Sequence, residues 1–150
     1  MAVVWNKTKT FPKADQSNRE HILRVQNELR RAGATIYDIA KFTSKYLPQL
    51  IQTDEHIAGF VSGRYSGTIK SNKIIDGIMI ATNQRILLFQ FQAVYASMAE
   101  INYDMLINFK KITSGKFSII KLQTAQYIYQ LSFARPHSVQ IFTNYLLSKT

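Results

Sequence analysis

Two textures of hydrophobic patterning divide this chain near residue 55. Before it, apolar residues recur three and four positions apart: Ile22, Val25, Leu29 and Ala32, then Ile36, Ile39, Phe42, Tyr46 and Leu47. That spacing gathers each set on one face of a helix. Ser17 with Glu20 makes a capping box ahead of the first stripe, a device worth about 1 kcal/mol, and Gly33 stands where a left-handed cap is wanted. Thr35 and Asp38 repeat the pattern with a shorter acid, and Pro48 ends the second helix or lies just past it. Residues 1–16 read as an irregular lead-in.

After His56 the period shortens. Ile57 to Gly63, Ile74 to Ala81, Arg85 to Phe91, Met98 to Tyr103, Met105 to Ile112, Lys116 to Leu122 and Tyr127 to Phe133 are short runs rich in β-branched and aromatic residues. Phe117, Ile119 and Lys121 fall on one face of their strand, with Ser118, Ile120 and Leu122 on the other. Tyr127, Tyr129, Leu131 and Phe133 are expected to share a face. Thr82-Asn83-Gln84 and Thr113-Ser114-Gly115 carry turn chemistry. Pro136 then opens a closing helix, along which Val139, Phe142 and Leu146 repeat, widened by Ile141 and Tyr145. Seven short strands must expose their edges or curl into a sandwich or barrel, and one amphipathic helix can plug an open end.

Seven strands and a terminal helix is the pleckstrin-homology order, and residues 54–147 resemble the bacterial pleckstrin-homology domain family. The resemblance is carried by Asp54-Glu55-His56-Ile57-Ala58-Gly59-Phe60-Val61-Ser62-Gly63 and by Gly77-Ile78-Met79-Ile80-Ala81-Thr82-Asn83-Gln84-Arg85-Ile86-Leu87-Leu88-Phe89. Glu100-Ile101-Asn102-Tyr103-Asp104-Met105-Leu106-Ile107 and Gly115-Lys116-Phe117-Ser118-Ile119-Ile120 continue it. Thr82, Asn83 and Arg85 form its most characteristic piece, a structural turn in which Thr82 and Asn83 bond the backbone and Arg85 anchors to a carboxylate. The expected fold is mainly β with helices: a seven-stranded, partly open barrel capped by a C-terminal helix. Residues 1–53 form a helical extension ahead of a pleckstrin-homology-like domain of residues 54–150. What the resemblance implies is a scaffold for binding.

Composition narrows the classes. There is no cysteine, which excludes disulfides, thiolate zinc and a cysteine nucleophile. No apolar run is long enough for a membrane-spanning helix or a signal peptide, so a cytoplasmic location is expected. The formal charge of +10 favours anionic partners. Residues 1–50 carry nine Lys/Arg against four acids and residues 51–150 ten against five, so each part is about +5.

Candidate chemistry is sparse. Arg64, Lys70 and Lys73 lie around the loop between the first two strands, where pleckstrin-homology domains that bind phosphoinositides place their cations. Asp76 opposes that use, and the second strand lacks the paired basic residues of such a site. Arg19, Arg24, Arg30 and Arg31 are interrupted by Glu20 and Glu28, as on a solvated helix face. His21, His56 and His137 are scattered without metal-ligand spacing, the serine of Gly63-Arg64-Tyr65-Ser66-Gly67 is one position late for a nucleophile elbow, and no phosphate-binding glycine loop occurs. The expectation is a non-enzymatic interaction module without metal or cofactor, binding a protein partner or self-associating. The alternatives are a peripheral binder of anionic lipid and a basic nucleic-acid-binding protein.

Overall fold

A computed structural model describes residues 6–8, 19–42, 47–66, 74–91 and 96–150. The first amphipathic stripe forms α1 (Arg19–Arg31) and buries Val25 and Leu29. Ser17 lies outside the described residues. At its other end α1 closes as expected of a glycine cap: Gly33 has φ +107°, and Ala34 N–H reaches back to the Leu29 carbonyl at 3.0 Å. Helix α2 (Ile36–Phe42) begins with a reciprocal cap, since Asp38 N–H donates to Thr35 Oγ1 at 3.1 Å and Thr35 N–H to Asp38 Oδ2 at 2.9 Å. Pro48 lies past the described end of α2, inside a short turn, α3 (Leu47–Leu50), where a missing N–H costs nothing. Ile36 departs from its predicted stripe. It occupies the outward side of the first turn of α2 and is exposed.

All seven predicted strands are present, with shifted ends: β2 (Ile57–Ser66), β3 (Ile74–Thr82), β4 (Ile86–Phe91), β5 (Ala96–Ile101), β6 (Asn108–Ser114), β7 (Phe117–Gln123) and β8 (Ile128–Ala134). A short 3-10 turn, Tyr103–Met105, replaces the ends predicted for the fourth and fifth runs. The lead-in adds a strand that was not expected, β1 (Asn6–Thr8), antiparallel to β5. The sheet runs β1-β5-β4-β3-β2-β8-β7-β6; its strand pairs are antiparallel, and among the described residues β5 and β6 do not pair. The barrel is therefore partly open, and α4 (Pro136–Lys149) seals it. This is the pleckstrin-homology arrangement of strands and terminal helix.

Two cores share the same strands. Inside the barrel, Val139, Phe142 and Leu146 of α4 pack with Val61, Met79, Leu88, Ile101, Ile120 and Leu131. Outside it, Val25, Leu29, Ile39 and Leu47 of the helices cover Phe60, Ile78, Ile80, Leu87 and Phe89. Strands β2 to β4 are thus buried on both faces, which is why Ile78-Met79-Ile80-Ala81 and Ile86-Leu87-Leu88-Phe89 read as unbroken apolar runs. Strands β7 and β8 bury one face, so their sequences alternate.

Phe133 departs from the face expected of it. Between the pairs Ile120↔Leu131 and Ser118↔Ala134, β8 holds one residue more than β7. Such a bulge rotates the side chains that follow it. Ala134 takes the interior position and Phe133 turns out, with φ +59°. A non-glycine residue held there costs on the order of 1–3 kcal/mol. Gly63 on β2 makes room for it, because a Cβ at that position would collide with the Ser132 carbonyl oxygen.

Candidate functional site

The structure places Thr82, Asn83 and Arg85 at the turn between β3 and β4, where they clasp the segment that joins the helices to the barrel. Thr82 Oγ1 accepts from Gln84 N–H and Arg85 N–H, both at 3.1 Å, and donates to Glu55 Oε2 at 2.7 Å. Asn83 Oδ1 accepts from His56 N–H at 2.8 Å and Asn83 Nδ2 donates to the Asp54 carbonyl at 3.3 Å. The Arg85 guanidinium reaches the Glu55 carboxylate, the Leu50 carbonyl at 2.8 Å and Glu100 Oε1 at 3.0 Å. Glu55 is fully buried. Burial alone would raise its pKa, but hydrogen bonds from Arg85, Thr82 and Gln52 N–H outweigh that and hold it below the usual carboxylate value. A carboxylate with so many donors is saturated, which suits a fastener and leaves little room for a reacting group.

Two further nodes have the same character. Glu28 accepts from Arg24 at 2.9 Å, His56 Nδ1 at 2.8 Å and Ile57 N–H at 2.8 Å. Its pKa is also lowered: desolvation is outweighed by those three bonds. His21 joins this corner through the Pro48 carbonyl at 2.6 Å, so two histidines that are scattered in sequence meet around Arg24, whereas His137 stays exposed. Asp38, besides capping α2, holds Arg135 Nη2 at 2.5 Å across 97 residues of chain. Among the described residues no group of three His, Asp or Glu is placed to hold a metal ion.

Of the three cations expected to contact an anion, Arg64 lies on the outer face of β2 and pairs with Asp76 at 3.4 Å, while Lys41 meets the other Asp76 oxygen at 3.5 Å. Lys70 and Lys73 lie outside the described residues. Arg64 also stands 5.8 Å from the ring centroid of Phe133, which draws it toward a different surface.

That surface is the outer face of β6, β7 and β8, which the helices leave uncovered. Register puts Ser114 opposite Phe117, Ile112 opposite Ile119 and Lys110 opposite Lys121. Phe117 is 48% exposed and Phe133 53%, and their rings meet edge to face at 5.8 Å. Neither Lys110 nor Lys121 has an ion-pair partner among the described residues, and like charges directly opposed across strands repel. The surrounding segment is cationic: residues 105–150 carry Lys110, Lys111, Lys116, Lys121, Arg135 and Lys149 and not one Asp or Glu, and of these Arg135 is held by Asp38. Dividing the charge at residue 50 hides this segment; dividing it at residue 104 exposes it.

No family model matches the chain, and no curated protein does. Among solved structures, it is similar to a DUF1696-family protein with a pleckstrin-homology domain from Shewanella loihica PV-4, at 15% identity and a TM-score of 0.45, over 77% of this chain and 96% of that one. It is similar to the C-terminal domain of an unknown protein from Leishmania infantum, at 13% identity and a TM-score of 0.48, over 83% of this chain and 97% of that one. A third likeness, to the linker-DH/PH domains of p115-RhoGEF, covers 87% of this chain and 39% of that one at 13% identity, with a TM-score of 0.45. The chain's own strand order and closing helix remain the ground for its architecture.

Proposed function

We propose that this chain is a non-enzymatic, pleckstrin-homology-like interaction module whose partner is an acidic protein. The observation that carries the reading is the second half of the barrel, cationic without a single acid from residue 105 to 150. In the first half, Glu28, Asp38, Glu55, Asp76 and Glu100 each hold a cation of the chain itself. Lys110 and Lys121, which have no ion-pair partner among the described residues, face each other on the outer side of β6 and β7, where they attract an anionic surface. The non-catalytic part of the proposal is supported by the ionisable clusters, whose members are tied to backbone and to one another.

A nucleic-acid partner is less well supported. Base stacking needs open ring faces, and the Phe133 ring is already met by Phe117 and Arg64. Lipid binding through Arg64, Lys70 and Lys73 is weakened by Asp76 at the one cation of the three that is described. We also propose that residues 1–53 act as an extension of the domain formed by residues 54–150, fastened at the Glu55–Arg85 clasp. The likeness to the bacterial branch of the family rests on the Thr82-Asn83-Gln84-Arg85 turn and its flanking strands.

The full chain should bind polyglutamate at low salt in preference to duplex DNA and to phosphatidylserine vesicles at equal charge concentration. Equal or tighter binding of the DNA or of the vesicles would replace this reading with the corresponding alternative.

A further inference from the structure

We infer that the outer face of β6, β7 and β8 is the docking surface, and that it takes an acidic stretch of another protein. This stretch presents an apolar side chain to Phe117 and Phe133 and carboxylates to Lys110 and Lys121. The inference rests on the module reading above and adds the place and the shape of the ligand.

Backbone conformation supplies the first observation. Continued alternation along β8 would send Phe133 into the barrel beside Leu131. The extra residue in β8 and the left-handed backbone at Phe133 instead bring its ring out against Phe117. A fold holds a strained aromatic at the surface when its surroundings fix it there, and such positions cluster where a ligand is gripped. Arg64 stands over the same ring at 5.8 Å, so aromatic and guanidinium groups, the types that anchor protein interfaces, share one spot. Ile112 and half-buried Ile119 extend the apolar area along the sheet.

Charge supplies the second. Lys110 and Lys121 face each other on the same side of the sheet, and residues 105–150 contain no acid. Lys121 lies four residues from Phe117, so roughly 13 Å separate the lysine pair from the rings along β7. An extended acidic segment spans that distance with a carboxylate four residues from its apolar anchor. A second copy docked face to face is a poor occupant, because cationic faces would then oppose each other. A lipid surface is fluid and has no use for a ring held in one orientation at a backbone cost.

The test is a titration of the isotopically labelled full chain, read by amide chemical shifts at low salt. The probes are a short glutamate-rich peptide with a central Leu-Phe pair, the same peptide with Glu→Gln, the same with Leu-Phe→Ser-Ser, and phosphatidylcholine vesicles with and without phosphatidylserine. Shifts should concentrate at Ile112, Phe117, Ile119, Lys121 and Phe133, and each altered peptide should bind about tenfold more weakly, as loss of an interface anchor does. Phe117→Ser, and separately Lys110→Glu with Lys121→Glu, should weaken binding similarly while the dispersion of the remaining amide signals shows an intact fold. Peptide binding that maps elsewhere removes this face and leaves the module reading standing. Vesicle binding without peptide binding, or no binding of either, overturns both.

Discussion

The Arg85 guanidinium grips the Glu55 carboxylate with two hydrogen bonds, Nε to Oε2 at 2.9 Å and Nη2 to Oε1 at 3.0 Å, in a site where Glu55 has no exposure. The pair joins the turn between β3 and β4 to the segment entering β2, and the other Arg85 bonds reach the Leu50 carbonyl of α3 and Glu100 of β5. Removing one partner of such a pair strands the other. Arg85→Ala should therefore cost about 3–5 kcal/mol in denaturant-induced unfolding. Replacing both residues with apolar ones of similar volume should recover much of that loss, because no unpaired charge is then left inside. Equal destabilisation by the single and double changes would show that the ion pair is not what holds this corner.

Acid should loosen the molecule through the same carboxylates. Glu28 and Glu55 both have pKa values below the ordinary one in the folded chain. The stability they contribute is present in full above the ordinary glutamate value of about 4.3 and is lost as pH falls through the lower folded values. Unfolding free energy should be insensitive to these two groups near neutrality and should decline below about pH 4.3. Glu55→Gln should make that decline shallower, whereas an unchanged acid slope would remove Glu55 from the account.

Asp38 does two jobs with one carboxylate, capping α2 and holding Arg135 ahead of α4. Thr35→Ala removes only the hydroxyl half of the cap and should cost about 1 kcal/mol. Asp38→Ala removes both functions and should cost more, with the excess over Thr35→Ala reduced in an Arg135→Ala background. Measuring this cycle by thermal unfolding separates the cap from the tether.

Strain at Phe133 gives an asymmetric prediction. Phe133→Gly deletes a large ring, yet the ring is half exposed and the backbone relaxes, so stability should change by no more than about 1 kcal/mol. Leu131→Ala, two residues away and fully buried, should cost about 2–5 kcal/mol. A large loss on Phe133→Gly would mean that the ring is a structural support.

The helices should be needed by the barrel. Residues 54–150 produced alone would expose Phe60, Ile78, Ile80, Leu87 and Phe89, which α1 to α3 now cover. An apolar area of that kind drives association. The shortened chain should aggregate or bind a hydrophobic dye, and a well-dispersed monomer would show that the outer core is dispensable.

Much of the barrel was legible in advance because β7 and β8 alternate and α4 repeats at helical spacing. The three residues of β1, Asn6-Lys7-Thr8, have no apolar member and so leave no periodic signal; only pairing with β5 reveals them. The outward turn of Phe133 was hidden for a different reason, since one extra residue in a strand changes every face after it without changing composition. The docking of the helices did leave a trace. Ile78-Met79-Ile80-Ala81 has no polar member, which means a strand covered on both sides, and the two preceding amphipathic stripes were the available cover. At the candidate surface, alternation alone puts Phe117 and Lys121 on one face of β7, but the lysine opposite comes only with register.

The seal made by α4 has a bearing on synthesis. Phe142 and Leu146 complete the barrel interior, yet they follow all seven barrel strands in the order of translation. A nascent chain must therefore carry seven partly assembled strands with an open interior until this helix leaves the ribosome. That interval is when the protein is most exposed to misassociation and most in need of a chaperone's cover.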